Sequence, residues 1–267
     1  MHKFPVGLVY IWQKQYLCID LQNHSVVELV SIIEPLVRMD RQWLVAINGW
    51  HAPWADTLMW YISKSTTWLP LYAVLVGLIV WRYGVQAYRG NKRIRESGNI
   101  QQLCGANERT ANSMIGWDDK KNRTWCVVNC LLIFVAFAVA VGGADYISSG
   151  IIKHAVCRPR PTHEPALEGM LHIVRGYTGG MYGFVSSHAA NTMACALLFS
   201  LIWRNKTATC GLMLWVAANC YSRMYLGVHY PLDIAGGLIV GSLVAVAVYL
   251  LLRQAEDKCR RAMARNG

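Results

Sequence analysis

The sequence predicts an all-α fold, a polytopic membrane helical bundle with five clear spans and a sixth if residues 43–62 also cross. Three observations predict it. Of the 267 residues, 54% are hydrophobic and only 15% charged, and eleven are Trp. Several apolar runs approach the roughly 20 residues that a helix needs to cross a bilayer. The net charge of +11 is gathered between those runs, where the positive-inside rule puts Lys and Arg. A basic chain can signal nucleic acid, but this placement gives no such partner. The nine cysteines include no C-x-x-C pair. Cys126, Cys130, Cys195, Cys210 and Cys220 sit in apolar runs, where they pack as small hydrophobes, and neither a disulfide framework nor a zinc site is expected.

Taken in order, residues 1–65 form an N-terminal interfacial segment. Residues 26–37 have apolar side chains at near-helical spacing, which Pro35 is expected to break. Residues 43–62 are rich in Trp but carry His51, Pro53 and Asp56, so they read as interfacial helices with Trp at headgroup level. Gln13, Lys14 and Gln15 interrupt the first apolar stretch, and no signal peptide is expected. Residues 66–253 form the membrane domain, with spans over 68–81, 125–146, 188–203, 208–221 and 231–252. Residues 82–124 form its longest and most basic polar stretch, read as a cytoplasmic loop. Residues 254–267 are a basic cytoplasmic tail.

This order fixes a topology. With the 82–124 loop inside, the second span exits outside, the third starts outside, and Arg204 and Lys206 turn in the cytoplasm. The fourth span then delivers residues 222–233 outside, and the fifth returns the basic tail. Three polar stretches fall together on the outer face. They are KHAVCRPRP at 153–161, VSSHAAN at 185–191 and SRMYLGVHYPLD at 222–233.

These stretches carry chemistry. His229 and Asp233 are four residues apart, so a helix starting near Pro231 sets them on one face. An imidazole held by a carboxylate has a fixed tautomer and serves as nucleophile or base. Lys153, Arg160 and Arg223 supply three positive charges, and the arginine fork suits phosphate oxygens. Ser186 or Ser187 can cap the third span, and Pro231 suits the first turn of the fifth. Exposed N–H groups at both helix starts would favour a bound phosphate. Arg-Pro keeps Arg160 extended, whereas Arg158 reads as a basic residue snorkelling to the headgroups.

Together the three stretches resemble the signature of the type 2 phosphatidic acid phosphatase superfamily. That signature is Lys, six residues, Arg-Pro; then Pro-Ser-Gly-His; then Ser-Arg, five residues, His, three residues, Asp. The first and third parts match at every fixed position. In the second, Val185 stands for Pro and Ser187 for Gly, while Ser186 and His188 are kept. The resemblance implies a membrane lipid phosphatase without cofactor or metal. His229 would attack phosphorus with Asp233 orienting it, and His188 would protonate the leaving oxygen and later activate water. Lys153, Arg160, Ser186, Ser187 and Arg223 would hold the phosphate oxygens. The remaining histidines, His2, His24, His51, His154, His163 and His172, read as structural or solvent-facing. The implied partners are membrane lipids and a lipid phosphate substrate: an undecaprenyl phosphate or diphosphate, lipid A 1-phosphate, phosphatidylglycerol phosphate or phosphatidic acid. The implied setting is a bacterial inner membrane with the site facing out. A soluble vanadium haloperoxidase shares the pocket type, but the apolar spans oppose it. A lipid-linked phosphotransferase and a non-catalytic lipid-binding or transport protein are the other readings. The sequence carries no signal of oligomeric state.

Overall fold

The computed structural model describes residues 24–89 and 119–265, with side chains from Glu34 onward. Among them the structure is helical, and the sole sheet-like pairing is an isolated antiparallel bridge between Pro159 and Tyr182. Helices α1 (His24–Gly49) and α2 (Pro53–Ser63) come first. Pro35 does not break α1, which runs through it to Gly49. Pro53 opens α2 at its first turn, where a missing N–H costs nothing. The helical run α3 covers Ser65–Arg89, and α4 covers Asp119–Val156. Then come α5 (Ser187–Trp203), α6 (Lys206–Tyr225) and α7 (Pro231–Arg265).

Three of these, α3, α4 and α7, are long and apolar enough to cross a membrane, and α5 is a shorter apolar helix. The flanks of the expected polar loop are helical: α3 reaches Arg89 and α4 begins at Asp119. The remainder of that loop, residues 90–118, lies outside the described residues, as do residues 1–23. The tail continues α7 as helix to Arg265.

The chain divides into two compact units. One holds residues 66–139 and 247–267, where Tyr88 donates to Asp119 at 2.8 Å and Arg260 lies over the Trp125 ring. The other holds residues 1–65 and 140–246, and all three motif stretches fall inside it. There α6 packs on α5, α2 and α1. Where α5 meets α4 and α7 the contacts are built from small residues, as in membrane bundles, where close backbone approach replaces the hydrophobic effect. Ala144, Ala190 and Ala194 form one cluster with Val240 and Val244. Along α7, Gly236, Gly237 and Gly241 face the start of α5. A Cβ at Gly237 would collide with the Ser186 carbonyl oxygen, and one at Gly241 with that of Ala190. The glycines thus let α7 lie directly against the first turn of α5.

Candidate active site

The first motif begins inside α4. A π-helical turn at Tyr146–Ile152 precedes Lys153, in the last turn of the helix. Ser149 and Lys153 share a face and both meet Ser187 of α5. The Lys153 ammonium donates to Ser187 Oγ at 2.9 Å, and Ser149 Oγ lies 2.6 Å from the same oxygen. Cys157 takes a left-handed conformation (φ 51°) and ends the helix. The chain then runs extended, because each residue before a proline is kept out of the helical region. Gly183 N–H donates to the Arg158 carbonyl at 2.8 Å, and Arg160 N–H to the Met181 carbonyl at 2.9 Å.

In an extended segment residues two apart share a side, so Arg158 and Arg160 point the same way. Arg158 is therefore not a snorkelling residue. It is buried, donates from Nη1 to Asp233 Oδ1 at 2.8 Å and from Nη2 to Asp40 Oδ2 at 2.6 Å, and lies 3.9 Å over the Tyr230 ring. Arg160 donates from Nε to the Tyr182 carbonyl at 3.2 Å, and its Nη1 stands 3.3 Å from His229 Nε2. Gly179 (φ 70°) leaves room for that guanidinium, since a Cβ there would lie 2.7 Å from Nη1.

The third motif wraps the end of α6 and the start of α7. Arg223, in the last turn of α6, is buried and donates to Ser63 Oγ of α2 and to the Tyr177 hydroxyl at 3.2 Å. Burial alone would raise the proton affinity of Tyr177, but Arg223 and Arg160 outweigh it and the phenol lies below its ordinary range. Tyr230 precedes Pro231, and Asp233 is the third residue of α7. Asp233 Oδ2 accepts the Tyr230 N–H at 3.0 Å, half of a capping box. Asp40 Oδ1, from α1, accepts the Leu232 N–H at 2.9 Å. The start of α7 is thus filled by two carboxylates and is not the phosphate seat that the sequence suggested. The start of α5 differs. Ser186 occupies the cap position but its side chain makes no cap hydrogen bond, and Ser187 turns to Lys153 instead. Ser186 Oγ is buried with no hydrogen-bond partner among the described residues. The first N–H groups of an α-helix have no intrahelical acceptor, so α5 retains an anion-binding end.

His229 is fully buried between these groups. An arginine can only donate, so Nε2 facing Arg160 is the acceptor nitrogen and the proton sits on Nδ1. Nδ1 faces Asp233 Oδ2 at 3.5 Å, a charge contact longer than a hydrogen bond. Burial first, then the charges of Arg160 and Arg223, hold the ring well below the ordinary histidine range. The ring is neutral, with a lone pair on Nε2 beside a cation. His188, in the first turn of α5, is half-buried and close enough to His229 to depress its proton affinity further. The Ser186 N–H donates to the Asp233 carbonyl at 2.9 Å, tying the second motif to the third. All eight residues singled out in the sequence thus sit in one compact unit around one buried imidazole.

A sequence profile of the PAP2 superfamily matches residues 119–257. The chain belongs to the PAP2 superfamily. The matched region takes in every motif residue just described. Among curated relatives, the chain is 28% identical over 221 residues to a lipid A 4'-phosphatase of Bacteroides thetaiotaomicron, covering 82% of this chain and 80% of that one. It is 35% identical over 129 residues to a decaprenylphosphoryl-5-phosphoribose phosphatase of Mycobacterium tuberculosis, covering 48% of this chain and 62% of that one. In fold it resembles the crystal structure of a transmembrane PAP2-type phosphatidylglycerolphosphate phosphatase from Bacillus subtilis, with TM-score 0.50, 19% identity, and coverage of 85% and 92% of the two chains. This PAP2 protein is a membrane-embedded phosphate hydrolase of the lipid phosphatase family. Sequence reasoning missed Asp40, Ser63, Tyr177 and Ser149. None lies in a motif: Asp40, Ser63 and Tyr177 are brought in by α1, α2 and the stretch before α5, and Ser149 sits one turn before Lys153 on α4.

Proposed function

We propose that the protein hydrolyses the phosphate of an amphiphilic lipid through a phosphohistidine on His229. The observation that supports this most is the wedging of a neutral His229 between Arg160 on Nε2 and Asp233 on Nδ1. The Nε2 lone pair attacks phosphorus and the ester P–O bond breaks, its electron pair leaving on oxygen. His188, protonated once the negative charge of the substrate phosphate lies beside it, gives its proton to that oxygen. Water then attacks phosphorus, gives a proton to His188, and the N–P bond breaks. Lys153, Arg160 and Arg223 stabilise the equatorial oxygens. Ser186 Oγ and the first N–H groups of α5 complete the seat; Ser187 acts through Lys153. The phosphate site lies on the membrane face opposite the 82–124 stretch, the periplasmic side of a bacterial inner membrane. Residues 1–65 serve as the interfacial segment and 254–267 as a cytoplasmic extension of the 66–253 membrane domain.

Among the candidate amphiphiles, similarity to the Bacteroides phosphatase over 82% of this chain favours a phosphate monoester on lipid A. Purified protein in detergent should release phosphate from lipid A faster than from undecaprenyl diphosphate, phosphatidylglycerol phosphate or phosphatidic acid. It should do so in EDTA, since guanidinium and ammonium groups take the electrophilic role. Loss of activity in EDTA with rescue by Mg²⁺ would refute that assignment of roles, and absence of release from every lipid would refute the function.

A further inference from the structure

We propose that Asp40 is a positioning residue for the reaction, acting through Arg158 to hold Asp233 against His229 and to leave it a net negative charge. The proposal rests on His229 as the nucleophile. Asp40 belongs to α1, more than a hundred residues from the first motif: its hydrogen bond to Arg158 spans 118 residues and that to Leu232 spans 192. Asp40, Arg158 and Asp233 are all buried, at 1%, 5% and 0% exposure. Burying charges of this kind is costly unless each is paired and hydrogen-bonded, and here each is. Arg158 stands between the carboxylates, 2.6 Å from one and 2.8 Å from the other, with the Tyr230 ring against its face. The second oxygen of Asp40 takes the N–H of Leu232, the residue before Asp233. One side chain therefore fixes both the guanidinium that grips Asp233 and the helical turn that carries it.

The charge count gives this geometry a consequence for the reaction. Arg158 with Asp233 alone sums to zero. Arg158 shared between two carboxylates leaves one negative charge, and Asp233 is the member that faces His229 Nδ1. When Nε2 bonds phosphorus the imidazole ring becomes cationic, and the surplus negative charge favours that state. Without Asp40, Arg158 neutralises Asp233 and the support is lost. A unit charge at about 10 Å in a medium of effective dielectric about 20 alters a rate roughly tenfold.

The test is steady-state and single-turnover kinetics of the full chain in detergent, using an aryl phosphate and a lipid phosphate. Asp40→Asn keeps the shape and an acceptor for Leu232 N–H but removes the charge. It should lower kcat about tenfold with KM within about twofold, whereas a merely structural role would lower the active fraction or alter both. Asp40→Glu, which keeps the charge, should return kcat to within about threefold of wild type. The decisive comparison uses Arg158→Gln as background. There two buried carboxylates without a cation share one proton, so the pair already carries one negative charge and adding Asp40→Asn should change kcat by less than about threefold. An equal loss from Asp40→Asn in both backgrounds, a loss confined to KM, or an unchanged kcat would overturn the proposal. If Asp40→Asn does not purify as a folded species, Asp40→Glu decides alone, and a tenfold loss of kcat overturns it. Failure to trap phosphohistidine on the wild-type enzyme would sink the nucleophile assignment, while the Asp40 kinetics would still report separately.

Discussion

Gly237→Ala perturbs the site without touching any group that does chemistry. The added methyl would collide with the Ser186 carbonyl oxygen and lie 2.9 Å from the Ala189 Cβ. Neither neighbour is the end of a flexible side chain, so α7 must move away from α5. Overpacking of this kind costs about 1–3 kcal/mol, and the better helix propensity of Ala returns up to about 1 kcal/mol. A net loss of about 1–2 kcal/mol corresponds to a Tm lower by roughly 2–8 °C for a chain of this size. The control is Gly211→Ala in α6, where a Cβ meets nothing within 4 Å. It has the same propensity gain and no clash, so its Tm should hold or rise. Activity separates the two further. The Ser186 N–H donates to the Asp233 carbonyl across this same contact, so Gly237→Ala shifts the second motif against the third. Its kcat should fall more than tenfold in protein that is still folded, since misplacement by about 1 Å can cost about a hundredfold. Thermal denaturation in detergent and phosphate release at a temperature below both midpoints provide the assay. Equal Tm and equal kcat for the two variants would refute the packing argument.

Three other outcomes are expected. With an aryl phosphate, rapid quench at alkaline pH should trap label on His188→Ala, which phosphorylates and stalls, and none on His229→Ala; the reverse pattern would exchange the two roles. Buried His229 has a folded proton affinity depressed below its ordinary value near 6.5. Below that pH the unfolded chain takes a proton that the folded chain refuses, and stability falls by up to about 1.4 kcal/mol per pH unit. The wild-type Tm should drop between pH 6.5 and 5 and drop less steeply in His229→Asn; parallel curves would mean that the ring takes up its proton in the folded protein. An impermeant thiol reagent should label a cysteine introduced at residue 170 in intact cells and not one at residue 105, and the opposite result would invert the topology.

The sequence made the core of the site legible because its residues keep fixed spacing within short segments. The four-residue step from His229 to Asp233 is one helical turn, and α7 forms it. The role of Arg158 was also present in Arg-Pro-Arg-Pro. Two consecutive residues before proline imply an extended stretch, and its two-residue period sets Arg158 beside Arg160. Asp40 had no such signature. It lies on an amphipathic stretch, where a carboxylate reads as one more polar position, and only tertiary packing brings it to Leu232. Pro35 does not act as a break: α1 continues through it. Helix ends also differed, since α4 runs on through a π turn to Val156, past the residue where hydropathy fades.

The carboxylate that α1 lends to the start of α7 sets the order in which the enzyme can be completed. During synthesis α1 emerges early, and Asp40 then waits 118 residues for its guanidinium and 192 for the backbone N–H it will accept. Until α7 arrives, an acidic side chain destined for burial remains in water or at the headgroups. Closure over so long a separation is slow. The last described helix therefore locks the first, and His229 acquires its surroundings only once the start of α7 has been made. A nascent or truncated chain ending before Leu232 holds the cations of the site and His229 but neither Asp233 nor the helical turn that presents it.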